Sequence, residues 1–430
     1  MLFISGCLPF FLTAQSVVIS QGQGKVYPSY QNRVDALVML NGISPETELT
    51  LQADGAVSSI EWYEYYNIAS SPAFHPLPVF LSNQSSIQPD DNCGYSVKLS
   101  GTRNGQAFTQ TVTVFVMDYQ SKIPSDLQLT PVEPVGCDNF RLAVSGNIPA
   151  MSYATSTGLV YAVERELELD YETLEWSEGW KSKSIREKVQ LDEGSVPVAV
   201  APLKDTYFTV TGDQFATDLG VSPFSVKSGL FPAKRVACKI TTTATVRTEK
   251  HESDRPESVT TLSGSAPLEI RFKANGNEPV ANYYIWTIHR EDALVLTRTD
   301  ESHTFTFMEA GRYVVKVRAE NASCTATDSL IVTISESAIS APNVFTPNGD
   351  EINDEFRVSY KSIVEFQGVI FNRWGTKIFE WTDIQKGWDG THNGRPVKEG
   401  PYFYVIRAKG SEGKIYNLKG DINLLRGKGQ

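Results

Sequence analysis

Apolar and polar residues alternate along most of this chain. Tyr313 to Ala319 is apolar at 313, 315, 317 and 319, with Lys316 and Arg318 between. Thr111 to Val116 and Leu330 to Ile334 are β-branched runs. Glu164 to Tyr171 sets Arg165, Leu167, Leu169 and Tyr171 against acidic positions. A period of two puts one face of a strand inside and the other outside. Turn residues punctuate these runs every ~8–12 positions, the rhythm of sandwich domains. No long amphipathic helix is visible. The pattern predicts an all-β chain of tandem Ig-like β-sandwich domains ending in a small antiparallel β-sandwich.

Three sandwiches are expected before the tail, over 15–118, 119–245 and 246–337. The first has Leu49-Thr50-Leu51, then Ile60 to Tyr65 around Trp62, Cys93 to Leu99, and the Thr111–Val116 strand. The third repeats that order with Leu268 to Phe272, Tyr284 to Ile288 around Trp286, the Tyr313–Ala319 strand, and Cys324 to Ile334. A Trp on an early strand and a Cys near the last hairpin suggest Ig-like units with a buried Trp. The third domain also resembles the polycystic-kidney-disease (PKD) type in its Ala266-Pro267-Leu268 opening, its Trp286 strand and its Glu309 to Tyr313 corner. That resemblance implies a spacer or binding module with no catalytic residues to carry over. In the second domain Pro197 restricts the Val196–Val200 run to a sheet edge. A longer insertion is expected near Trp176 to Asp192. Loops on rigid sandwiches are where binding sits, so this insertion is the first candidate for a ligand surface, with Trp176 and Trp180 as sugar-stacking candidates.

The tail, 338–430, carries the densest signal. It reads Ala341-Pro342-Asn343-Val344-Phe345-Thr346-Pro347-Asn348-Gly349-Asp350, then Val369 to Phe379 around Asn372-Arg373-Trp374-Gly375. Gly387-Trp388-Asp389-Gly390, Gly400-Pro401-Tyr402 and Lys419-Gly420-Asp421 follow. Gly390, Gly394, Gly400 and Gly413 fall in turns that call for positive φ. The Trp and Tyr residues supply the core of a small antiparallel sandwich of about seven strands. The order of motifs resembles the gliding-motility-associated C-terminal domain, the type B sorting signal of the type IX secretion system of Bacteroidetes. Two positions depart from its pattern, Pro401 and Glu351. The resemblance implies export by a cleavable leader, recognition of the tail at the outer membrane, and display on or release from the cell surface. It places partner contact on Asn348, Gly349, Asp350, Asn353 and Asp354, on Asn372, Arg373, Trp374 and Gly375, on Trp388, Asp389 and Gly390, and on Gly400, Tyr402 and Gly420.

Charge supports a two-part molecule. The formal net charge is −11, which argues against nucleic acid as the main partner. The tail from Ala338 carries about +2 and the remainder −13. Met1 to Ala14 is a short apolar run ending in small residues, which fits a signal peptide. Ile4-Ser5-Gly6-Cys7 also resembles a lipobox, but the apolar run continues past Cys7. No stretch reaches the ~20 apolar residues of a membrane-spanning helix.

Of the five cysteines, Cys137 and Cys238 are the disulfide candidates, the alternative being buried single thiols throughout. Asp350, Asn353 and Asp354 are a weak Ca²⁺ candidate, set against an ordinary Asx turn; no other cofactor is expected. Asp205 and Asp213 flank a strand and are weak candidate acids. No Ser/His/Asp set, paired metal histidines or phosphate loop appears. The expectation is a non-enzymatic, exported surface protein that engages the type IX machinery through its tail. The alternatives are a component or sensor of that machinery, and an adhesin or glycan binder.

Overall fold

The computed structural model describes residues 16–53 and 56–426. The expected leader, 1–14, and Cys7 lie outside the described residues. Strands dominate, and the single α-helix among the described residues is Gln214–Leu219. No helix there is long and apolar enough to cross a membrane. The chain forms two compact units, Met1–Thr173 with Ser182–Ala233, and Leu174–Lys181 with Lys234–Gln430.

In the first unit a six-stranded sheet runs Gly24–Pro28, Ala36–Leu40, Gln106–Asp118, Cys93–Arg103, Ala56–Asn67, Phe74–Ser82. Its core packs Trp62, Val97 and Val114 against Leu49 and Leu51 of a smaller sheet. Trp62 Nε1 donates to Gln84 O at 3.1 Å. Ala36–Leu40 is buried at every position because Leu37 and Met39 enter a second core with Phe115, Tyr153 and Phe215. It pairs in parallel with Gln106–Asp118, and strands covered on both faces read as unbroken apolar runs.

The second sandwich of this unit packs Leu142, Leu167, Leu169, Phe208 and Val210 between two sheets. Ser195–Val198 lies at a sheet edge, where Pro197 removes no ladder donor. The expected insertion is a strand, Trp180–Gln190, that returns alongside Glu166–Trp176 at the edge of a four-stranded sheet. Asp213 is structural: it caps the helix through Phe215 N and Ala216 N, accepts from Tyr119 Oη at 2.7 Å, and pairs with Arg165 at 2.9 Å. Asp205 accepts from Ala233 N. Both carboxylates are therefore engaged in holding the fold.

In the second unit the third sandwich begins earlier than the expected 246. Cys238–Ala244 pairs with Leu268–Gly276 in register from Cys238↔Gly276, so it belongs to this sandwich and not to the one before. Trp286 is fully buried and donates to Asp300 O at 2.9 Å. The unit also contains Leu174–Lys181, whose Trp176 and Trp180 meet edge to face at 5.2 Å. Trp180 Nε1 donates to Asn275 O.

The cysteines correct one expectation. Cys238 is a free, buried thiol, so the Cys137–Cys238 bridge is not formed. Cys238 opens a core strand of the third sandwich, and burial pushes its pKa up to about 11. Cys137 and Cys324 are disulfide-bonded cysteines, while Cys93 is a second buried free thiol.

Candidate functional site: the C-terminal sandwich

The last sandwich is organised on a five-stranded sheet in the order Val344–Phe345, Ile415–Leu424, Gly400–Gly410, Ile363–Phe371, Lys377–Trp381. The first pair is parallel and the others are antiparallel, so the sheet is not wholly antiparallel as expected. The sandwich is fixed to the one before it. Ala266 N donates to Ser362 Oγ, which donates to Ser335 O, and Lys361 pairs with Asp254 at 2.9 Å.

Most of the motif aromatics and glycines build this frame. Trp388 is fully buried; its Nε1 donates to Thr391 O at 2.7 Å. Its ring meets Tyr402 at 4.9 Å and Phe345 at 5.3 Å. Asp389 Oδ1 accepts from the Thr391 amide and hydroxyl. Gly390, at φ 75°, presents its carbonyl to Val397 N and to Arg426 Nη2. Arg426 therefore ties the segment after the last strand to this turn. Tyr402 Oη donates to Lys398 O at 2.8 Å across the bend at Gly400, whose φ is 132°. Gly420 has no unusual φ. It is small because a Cβ there would lie 2.7 Å from Tyr404 Oη.

The 346–354 loop folds around a carboxylate. Asp354 Oδ1 accepts from Asn348 N at 2.8 Å and Gly349 N at 2.7 Å, and Oδ2 from Glu351 N at 2.8 Å. Those amides hold its pKa below the usual carboxylate value, the Gly349 bond most of all; hydrogen bonds to the charged form favour it. Asp350 Oδ1 accepts from Ile352 N, and Asn348 bonds Asp350 through its side chain. Asn353 gives its carbonyl to Thr346 N. The acceptors expected for Ca²⁺ are thus engaged with N–H groups, the pattern of an Asx-type turn.

The exposed aromatic of the motifs lies at the 372–376 turn. Asn372 Oδ1 accepts from Trp374 N and Thr376 N, and Gly375 takes φ 80°. This leaves Trp374 74% exposed, with the Arg373 guanidinium 4.3 Å from its ring centre. The turn continues directly from Phe371. On the outer face of the sheet Phe371 pairs with Phe403, and Val369 with Val405. Tyr402 and Ile406 point inward, while Phe403 and Val405 stand outside. The sequence reading named Trp374 but missed Phe371, Phe403, Val369 and Val405. The signal was present, since alternation through Tyr402 to Ile406 leaves apolar residues on both faces.

Residues 339–423 match the CHU_C Type IX secretion signal domain, and residues 131–228 match a fibronectin type III domain. No curated protein matches the chain. Among solved structures, three N-terminal domains of the bacteriophage RB49 highly immunogenic outer capsid protein are 12% identical over 70% of this chain and 98% of that one, at TM-score 0.21. Four N-terminal Ig domains of Dscam1 isoform 9.44 are 14% identical over 96% and 100%, at TM-score 0.21. Likenesses this loose say nothing about what the chain does. The type IX signal marks the chain for export to the cell surface or beyond.

Proposed function

We propose that this chain, exported under its C-terminal type IX signal, is a non-enzymatic protein of the cell surface whose signal domain docks on the outer-membrane secretion machinery through the apolar end of its outer sheet face. The observation that carries this is the cluster of Phe371↔Phe403 and Val369↔Val405 pairs beside the exposed Trp374. Contiguous exposed apolar groups mark interaction sites, and Trp and Arg are over-represented among the residues that dominate binding. The buried motif residues Trp388, Tyr402 and Gly390, with half-buried Gly420, shape the domain. Trp374, Arg373 and Phe403 make the contact. The preceding sandwiches act as spacer or binding modules.

The test is a Trp374→Ala, Phe403→Ser double variant of the full chain, compared with deletion of 341–430. Both are expected to accumulate in the periplasm, with the double variant as protease-resistant as the parent. Each truncated hot-spot aromatic is worth ~2 kcal/mol or more. Normal surface delivery of the folded double variant, with the deletion retained, would move the docking site off this face. Delivery of the deletion itself would overturn the sorting role.

A further inference from the structure

A different part of the molecule gathers metal-binding chemistry. Glu64 lies on the Ala56–Asn67 strand two residues after the inward-facing Trp62. The pairing of that strand shifts between Glu64 and Tyr66 against both of its neighbours. Bulges of this kind re-aim side chains. The Glu64 side chain is only 12% exposed. Cys93, fully buried, opens the next strand, and Asp90 stands in the segment before it. The ligand atoms of Glu64, Asp90 and Cys93 all lie within 4.8 Å of one another.

Among the described residues no Lys or Arg pairs with Glu64 or Asp90; Glu64 has Asn67 Nδ2 at 3.0 Å on one oxygen and His75 Nε2 at 3.4 Å from the other. At that distance the His75 contact is long for a hydrogen bond, and Nε2 is a buried nitrogen without a hydrogen-bond partner. A buried carboxylate such as Glu64 is costly unless it is paired, and a bound divalent ion would supply the positive charge. A cleft of about 470 Å³ lined by Glu46, Glu48, Glu64 and Asp90 gives entry from solvent.

We propose that Glu64, Asp90 and Cys93 form a site for a zinc-class divalent cation, whose remaining position is left to water. A thiolate beside two carboxylates gives a mixed sulfur and oxygen set that suits zinc, whereas Ca²⁺ and Mg²⁺ take oxygen alone. On binding, the Cys93 thiol gives its proton to solvent and its sulfur bonds the metal. The site ties Ala56–Asn67 to the segment that leads into Cys93–Arg103.

The full chain, with Cys137 and Cys324 still disulfide-bonded, is titrated anaerobically with Co²⁺, a spectroscopic substitute for Zn²⁺, and then with Zn²⁺. The expected result is one Co²⁺ per chain with a thiolate-to-cobalt charge-transfer band, bleached by Zn²⁺. The band is lost in Cys93→Ala and kept in Cys238→Ala, the other buried thiol. Asp90 is exposed, so Asp90→Asn keeps the fold and is expected to bind at least ~10-fold more weakly. Absence of the band in the parent chain, its persistence in Cys93→Ala, or unchanged affinity in Asp90→Asn would each overturn the site and leave a His75–Glu64 contact only.

Discussion

In the third sandwich the main sheet runs Ser263–Gly264, Thr325–Ile334, Gly311–Glu320, Tyr283–Arg290, Ala293–Arg298, and the C-terminal sandwich repeats that order strand for strand. Each opens with a short parallel pairing to its last strand. Each turns a corner where a Tyr donates to the carbonyl four residues back, Tyr313 to Glu309 and Tyr402 to Lys398, both at 2.8 Å. The glycine two residues before each Tyr has φ 140° or 132°. Counting from the corner brings the two into register. Outward Val314↔His289 and Lys316↔Thr287 correspond to Phe403↔Phe371 and Val405↔Val369. Inward, Val317 faces Trp286 and Ile406 faces Gly368. A Cβ on Gly368 would lie 2.5 Å from the ring of Trp381, so the neighbouring strand supplies the indole that Trp286 supplies from its own. One frame thus carries a more polar outer face in one case and an apolar one, the proposed docking face, in the other.

The largest effects should come from the two indoles. Trp286→Ala and Trp381→Ala are each expected to cost ~3–5 kcal/mol, read as lost amide-exchange protection confined to the mutated sandwich. If Trp381→Ala left the C-terminal strands fully protected, the proposed exchange of ring for ring would be broken. Gly368→Ala is expected to cost less, ~1–3 kcal/mol, because the Trp381 ring must shift to admit a methyl group. Full protection in that variant would show that the ring was never seated over Gly368. The corner tyrosines come next. Tyr313→Phe and Tyr402→Phe each remove one hydrogen bond, worth ~0.5–1.5 kcal/mol, and should match; a large disparity would separate the two corners.

Much of this was legible in the sequence, and the limits have physical causes. Alternation found the strands because one-face burial leaves a period of two. It also placed Trp62 and Trp286 in cores and Pro197 at an edge. The positive-φ glycines were legible because a missing Cβ has few other uses in a turn. Gly368 and Gly420 were not read as ring seats, because the ring they accommodate sits on another strand. The start of the third sandwich was misplaced because Cys238–Ala244 carries few inward apolar residues, and its assignment rests on a partner strand ~30 residues on. The Cys137–Cys238 pairing failed because sequence order does not say which face of which sheet a thiol enters. For the same reason Glu64, Asp90 and Cys93 show no metal spacing along the chain; a bulged strand and the segment leading into the next bring them together.

The smallest effect concerns what the two sandwiches do not share. Between the parallel opening strand and the next strand, the third sandwich has only Ser265-Ala266-Pro267, whereas the C-terminal sandwich inserts the loop held by Asp354. Asp354 bonds to amides of its own loop, so its removal should barely move global stability and should show only in the loop. Its folded pKa lies below the ordinary carboxylate value of about 3.9. The loop's order is therefore fully present above that value and is lost as pH falls through the lower, folded pKa. Amide protection of Asn348, Gly349 and Glu351 should persist as other exposed carboxylates protonate, then collapse, with no matching step in the third sandwich. In Asp354→Asn the protection should already be reduced at neutral pH. A rise in that protection on adding Ca²⁺ to the parent chain would argue the reverse, that the carboxylate is free to hold a cation and the amides are not its main partners.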